Sequence, residues 1–104
     1  MKVLLVCSQG MSSAICAKAL QEAAKKDGID MSVSECSTQA FAEEIKNGYA
    51  IGLVAPQIRH RYDVLKAQAT DAGVPCVLIQ PKGYTPLGGS KLLAQIKSEL
   101  GDLK

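Results

Sequence analysis

Short apolar segments alternate with amphipathic helical segments four times along this chain of 104 residues. The predicted strands cover residues 2–7, 29–34, 49–55 and 75–79. Strands separated by helices are typical of parallel sheets, because each parallel pair needs a long crossover connection. The alternation therefore predicts one α/β domain over residues 1–104, with helices on both faces of a four-stranded parallel sheet.

The apolar residues within the strands predict their order. The first and third strands are almost wholly apolar, as expected for interior strands buried on both faces. The second alternates apolar and polar residues, and the fourth opens with Pro75, so both are expected at edges. The predicted order is 2-1-3-4, a doubly wound sheet. Ligands of such sheets bind beyond the carboxyl ends of the strands where the chain order reverses, here between strands one and three.

Helix signals place the remaining elements. Helices are predicted over residues 11–27 and 57–72, with a short one between them and a last one near the carboxyl end. Glycine after a helix is a frequent end signal. The first helix is expected to bury one stripe. The short helix is predicted to begin at Ser37 or Thr38 and to end at Gly48, and the last helix to begin at Thr85 and Pro86. The two longer helices are predicted to end at Gly28 and Gly73. The stripe of the first helix comprises Ile15, Cys16, Ala19, Leu20 and Ala23.

The loop after the first strand carries the strongest chemical signal. Backbone N–H groups at a helix start have no partners inside the helix, and the helix dipole adds partial positive charge. A thiolate, or a phosphoryl group on its sulfur, would be stabilised there. A plainer interpretation is a small residue that ends a strand, followed by capping serines. The loop comprises Cys7, Ser8, Gln9, Gly10, Met11, Ser12 and Ser13.

This loop resembles the phosphocysteine loop of the IIB components of the lactose/cellobiose-type sugar phosphotransferase system. Residues 52–58 (GLVAPQI) resemble the family's third-strand exit, and residues 83–89 (GYTPLGG) resemble its loop before the last helix. Length and element order also agree. The resemblance therefore covers essentially the whole chain, and the first loop is its most specific part.

The resemblance implies a phosphocarrier. A phosphohistidine IIA protein would pass its phosphoryl group to Cys7, which would pass it to a sugar held by the membrane IIC permease. The sugar would be a β-glucoside or a cellobiose-like or lactose-like disaccharide. By position, the phosphate-binding role falls on Ser8, Gln9, Gly10, Met11, Ser12 and Ser13.

Two other classes of protein are alternatives to this one. Small tyrosine phosphatases, and arsenate reductases like them, share a similar fold and use the pattern C-x5-R, in which arginine stabilises the transition state. Here Ser13 holds the arginine position. These enzymes also use an aspartate to protonate the leaving group, but Asp63 and Asp71 fall inside the third helix pattern instead of following a strand. Losing a bidentate arginine removes much transition-state stabilisation. A nucleotide or flavin module would not need the cysteine.

Other polar and sulfur residues have structural alternatives. Cys36 and Cys76 are interpreted as packing residues, and Cys16 as either a core residue or a resolving thiol for Cys7. His60 is interpreted as a solvated helix residue. Arg59 or Arg61 could help to dock a partner or could simply be surface charge, and Tyr84 is either turn chemistry or a wall of the cysteine site.

Composition narrows the class of protein. The net charge of +2 is spread over scattered basic residues, and aromatics make up 4%, so nucleic-acid binding is not expected. The longest apolar run is far short of a membrane span, and no signal peptide is recognised. Four cysteines without a CxxC pair, and one histidine, indicate neither a zinc site nor a disulfide scaffold. We expect a cytoplasmic monomer without metal or organic cofactor.

Overall fold

The computed structural model describes residues 1–7, 11–84 and 87–101. Strands and helices alternate along these residues, and short 3-10 helices follow the third and fourth strands. The elements are β1 (Lys2–Val6), α1 (Met11–Lys26), β2 (Ser32–Cys36), α2 (Phe41–Glu44), β3 (Ile51–Val54), a 3-10 helix (Pro56–Arg61), α3 (Tyr62–Asp71), β4 (Cys76–Leu78), a 3-10 helix (Pro81–Gly83) and α4 (Gly89–Leu100).

The four strands form one parallel sheet in the order β2-β1-β3-β4. This confirms the predicted order and the predicted edges. Val3 of β1 pairs with Val33 on one side and with Ile51 on the other. Every residue of β3 is buried, as is every residue of β1 after Lys2. The apolar runs therefore mark the two strands that helices cover on both faces.

Alternate side chains of β1 point into two separate core layers. Val3 and Leu5 pack in a cluster with residues of α1 and α4. Leu4 and Val6 pack in a second cluster on the other face, with residues of α2 and α3. Because successive side chains of a strand point to opposite faces, one apolar strand supplies both layers. Helices on both faces are thus confirmed.

The short helix α2 packs tightly against β3 through a glycine. A Cβ atom at Gly52 would lie 3.1 Å from Cζ of Phe41, which is fully buried. This distance is shorter than an ordinary van der Waals contact, so a side chain at this position would press on the ring. Gly52 therefore lets the aromatic side chain lie directly on the sheet.

Two segment boundaries differ from the prediction. β2 comprises Ser32–Cys36 instead of residues 29–34, because it pairs with β1 from Lys2↔Ser32 to Val6↔Cys36. Ile29 is buried, but its N–H donates to the carbonyl of Ala24 at the end of α1. The alternating apolar residues from Ile29 onward therefore reflect burial of the segment that leads into β2, and not only of the strand itself.

The third helix is interrupted near its start. Residues Pro56–Arg61 form a 3-10 helix in which Ile58 has non-helical angles (φ −116°, ψ 29°), and α3 begins at Tyr62. Ile58 is nevertheless buried. In the sequence, apolar residues recur here at intervals of three or four, at Ile58, Tyr62, Leu65, Ala69 and Ala72, and this spacing predicts one continuous helix. The spacing reflects burial, whereas the backbone at its start takes a tighter turn.

The buried face of α1 also differs from the predicted stripe. Ile15 is 48% exposed, whereas Ala17 and Ala24 are buried beside Cys16 and Leu20. The end of the helix agrees with the prediction, because Gly28 has φ +73°. A left-handed residue after a helix favours glycine.

The predicted cap of the last helix, Thr85 with Pro86, lies outside the described residues, and α4 begins at Gly89. Ser37 accepts a hydrogen bond from the Ala40 N–H in the turn just before α2 (3.3 Å). The predicted cap is nevertheless wrong, because the residue that caps α2 is Ala40, which makes no side-chain cap bond, and Ser37 instead stabilises the preceding turn. Among the described residues, none of the helices is long and apolar enough to cross a bilayer.

Candidate functional site

Cys7 lies at the carboxyl end of β1, at the point where the strand order reverses. Its N–H donates to the carbonyl of Cys36 (3.2 Å), and the carbonyl of Val6 accepts from the N–H of Ala55 (3.1 Å). Main-chain hydrogen bonds from both neighbouring strands therefore hold this end of β1. Cys7 is 7% exposed and belongs to the second core cluster. The sheet itself thus positions the sulfur.

The Cys7 sulfur contacts a tyrosine from a distant part of the chain. Sγ of Cys7 lies 3.5 Å from Oη of Tyr84, the residue after the 3-10 helix Pro81–Gly83. Tyr84 is half-buried and packs against both core clusters. Burial raises the pKa of Tyr84 well above its ordinary value, and the neighbouring Cys7 raises it further. Segments that follow β1 and β4 therefore meet at the thiol.

The amino terminus of α1 lies next along the chain. Met11, Ser12 and Ser13 are its first three residues, while Ser8, Gln9 and Gly10 lie outside the described residues. The first turn of α1 contains no acidic residue. The partial positive charge of this helix end is therefore not offset by a carboxylate of its own turn.

Three other cysteines have environments that hold them as thiols. Burial is the main cause of each shift: it raises the pKa of Cys16 to about 11, of Cys36 to about 12 and of Cys76 to about 11. All four cysteines are thiols rather than disulfide partners. Cys16 is 2% exposed, and its Sγ lies 3.9 Å from the carbonyl oxygen of Gly83. Its position supports the core interpretation.

These raised pKa values predict a loss of stability in alkali. In the unfolded chain the thiols ionise near the ordinary value of 9.0, whereas in the fold they ionise only at about 11 to 12. Their contribution is therefore intact below about pH 9 and is lost as pH rises through the folded values. The free energy of unfolding in urea should therefore fall by several kcal/mol between about pH 8 and pH 10.5.

The control for the alkaline effect replaces Cys16, Cys36 and Cys76 with alanine together. This variant starts from a lower stability, so the slope with pH is compared rather than the value itself. A flatter slope in the variant supports the assignment. Equal slopes would show that other groups govern the alkaline loss.

The other predicted candidates, Arg59, His60 and Arg61, lie together in the segment that follows β3. Arg59, His60 and Arg61 are exposed residues of the 3-10 helix that also carries Gln57. The side chain of Gln57 lowers the pKa of Tyr84, an effect smaller than that of burial. Gln57 was not among the predicted site residues. Its place just beyond the carboxyl end of β3 was the available signal.

The site lacks the parts that define a tyrosine phosphatase. Ser13 stands where C-x5-R requires arginine, and both arginines of the sequence are on the 3-10 helix. Asp63 and Asp71 lie at opposite ends of α3. Among residues 1–7, 11–84 and 87–101, no group of three His, Cys, Asp or Glu side chains could hold a metal ion. The described chemistry centres on one thiol and its hydrogen-bonding neighbours.

Fold and site together define a doubly wound α/β domain of the phosphatase-like class, with a cysteine at the switch point of the sheet. The family model described as "PTS system, Lactose/Cellobiose specific IIB subunit" matches residues 2–95. The chain belongs to this family of phosphotransferase-system subunits, which act in phosphoryl transfer during sugar transport.

Individual relatives agree with this assignment. The chain is 28% identical over 102 residues to the PTS system lactose-specific EIICB component of Streptococcus mutans serotype c (strain ATCC 700610 / UA159). That match covers 96% of this chain and 18% of the relative, so the chain spans about a fifth of that protein's length.

Two solved structures share the fold. The lactose-specific IIB component domain from Streptococcus pneumoniae superposes with a TM-score of 0.76 at 23% identity, covering 91% of this chain and 95% of that one. The cellobiose-specific phosphotransferase IIB component protein from Borrelia burgdorferi gives a TM-score of 0.69 at 26% identity, covering 90% and 85%.

Proposed function

We propose that this chain is a phosphocarrier in which Cys7 accepts a phosphoryl group from a phosphohistidine IIA protein. Cys7 then passes the group to a sugar held by a membrane IIC permease. The observation that carries the proposal is the position of the Cys7 sulfur, at the switch point of the sheet and 3.5 Å from a tyrosine hydroxyl. The family assignment supplies the reaction class.

Both steps are phosphoryl transfers without net oxidation or reduction. In the first, the sulfur electron pair forms a P–S bond while the P–N bond to the donor imidazole breaks and its electron pair returns to nitrogen. In the second, a sugar hydroxyl oxygen attacks phosphorus, loses its proton to solvent or a base, and the P–S pair returns to sulfur. The protein contributes mainly positioning and stabilisation of charge.

The phosphate-binding role is proposed for the loop that follows Cys7. Helix α1 begins at Met11, so its first N–H groups follow Cys7 closely along the chain. The hydroxyls of serines can donate to phosphate oxygens. The proposed phosphate-binding residues are Ser8, Gln9, Gly10, Met11, Ser12 and Ser13.

The family supports a class of sugar and a compartment for this proposal. The named relatives are lactose-specific and cellobiose-specific, so we place the sugar among disaccharides of this kind, or other β-glucosides. Cytoplasmic placement follows from the proposed IIA donor. The relative from Streptococcus mutans is named an EIICB component, and this name supports the proposal that a IIC permease holds the acceptor sugar.

The test is phosphorylation by a histidine-phosphorylated IIA protein, followed by intact-mass measurement. We expect one added phosphoryl group per chain, and none on the Cys7→Ser variant. Trypsin cleavage after Lys2 and Lys18 gives one peptide with both Cys7 and Cys16 as well as three serines, so fragment spectra must locate the group.

The matched control is Cys36→Ser, which replaces a half-buried thiol at the end of β2. This variant should take up the phosphoryl group like the parent. Uptake by Cys7→Ser equal to that of the parent would overturn the proposal. Turnover of an aryl phosphate without any partner protein would instead assign the chain to the phosphatases.

A further inference from the structure

We propose that Tyr84 is a further catalytic residue, whose hydroxyl donates a hydrogen bond to the Cys7 sulfur when that sulfur carries negative charge. The role in phosphoryl transfer rests on the proposed function, whereas the hydrogen bond itself can be tested without it.

The contact is fixed by packing on all sides. Oη of Tyr84 lies 3.5 Å from Sγ of Cys7, across 77 residues of sequence. The aromatic ring packs against both core clusters, one on each face of the sheet. Cys7 is held by its main-chain bond to Cys36. Neither partner needs to be ordered when the thiol reacts, so the entropy cost of forming this contact has been met by folding.

The direction of the hydrogen bond follows from the protons available. A thiolate has no proton to give, so a hydrogen bond between it and Tyr84 must be donated by the hydroxyl. Burial raises the pKa of Tyr84 well above its usual value, and the contact with Cys7 raises it further. Tyr84 therefore remains a donor at any pH at which the protein works.

This arrangement would act in both transfer steps. When the thiolate attacks, the hydroxyl holds it beside the incoming phosphorus. When the P–S bond breaks, the electron pair returns to sulfur, and the hydroxyl stabilises the charge that develops there. Removing the donor should therefore slow both the arrival and the departure of the phosphoryl group.

The first test is Tyr84→Phe, which keeps the ring and removes the hydroxyl. A hydrogen bond to a charged group corresponds to about a tenfold effect or more, so phosphoryl transfer to and from Cys7 should slow by at least about tenfold. The control is Tyr62→Phe, which removes a hydroxyl that donates to the carbonyl of Cys76 (3.2 Å). This control should leave both rates within about twofold of the parent.

The second test needs no phosphoryl donor. Iodoacetamide alkylation of Cys7 at about pH 7 should be several-fold slower in Tyr84→Phe than in Tyr62→Phe, since the thiolate is the reactive form. If the parent takes up no phosphoryl group yet shows this difference, the proposed function fails and the hydrogen bond is supported. Equal alkylation and equal transfer in the two variants would overturn the role of Tyr84.

Discussion

Replacing Phe41 with alanine should lower the free energy of unfolding by about 3–5 kcal/mol. Phe41 is fully buried and is the largest such side chain in the described part of the fold. Its ring lies on Gly52 of β3, within the cluster that also contains Cys7. Truncation would remove the apolar contacts of the ring and leave a cavity between α2 and the sheet. Neighbouring main-chain hydrogen bonds limit how far that cavity can collapse.

Urea unfolding followed by circular dichroism measures this change. The matched control is Val64→Ala, which shortens a side chain on α3 that is 48% exposed. That variant should change stability by no more than about 0.5 kcal/mol. A loss below about 1 kcal/mol for Phe41→Ala would show that α2 contributes little to the folded core.

Replacing Gly89 with alanine should destabilise the protein by about 1–3 kcal/mol or more. A Cβ atom at Gly89 would lie 2.3 Å from the carbonyl oxygen of Ala19 and 2.7 Å from its carbonyl carbon. Both are backbone atoms of α1, so no rotation of a side chain can relieve the overlap. Helices α1 and α4 would have to move apart, which would disturb the core layer that they share.

The opposite sign would be expected from helix propensity alone. Glycine to alanine within a helix usually stabilises it by up to about 1 kcal/mol. Ser90→Ala, at the next and exposed position of α4, serves as the control for propensity. If Gly89→Ala unfolds at the same urea concentration as the parent, or a higher one, the close approach of the two helices does not exist in solution.

The order of the strands was predictable from local patterns of apolar residues. A strand covered by helices on both faces needs apolar side chains at every position, and β1 and β3 have them. The place of Cys7 then followed from a general rule on where doubly wound sheets bind ligands. Both predictions depend on properties of single segments, which a sequence displays directly.

The partners of Cys7 were less predictable. Tyr84 was recognised as a candidate, but its contact with the thiol depends on how the segment after β4 folds over the sheet. The 3-10 turn after β3 was not revealed by the spacing of the apolar residues. The exposure of Ile15 shows that spacing alone did not define the buried face of α1 either. Contacts between distant segments are set by packing, which no local pattern contains.

The main-chain bond from the Cys7 N–H to Cys36 also bears on how a carrier of this kind would cycle. A cysteine held by a main-chain hydrogen bond at the end of a strand cannot move between two partner proteins, as a group on a long flexible linker could. The phosphoryl donor and the acceptor must then bind at the same surface in turn, and one must dissociate before the other binds. Association and dissociation of the partner proteins, rather than a conformational change within this chain, would then limit the rate of phosphoryl transfer.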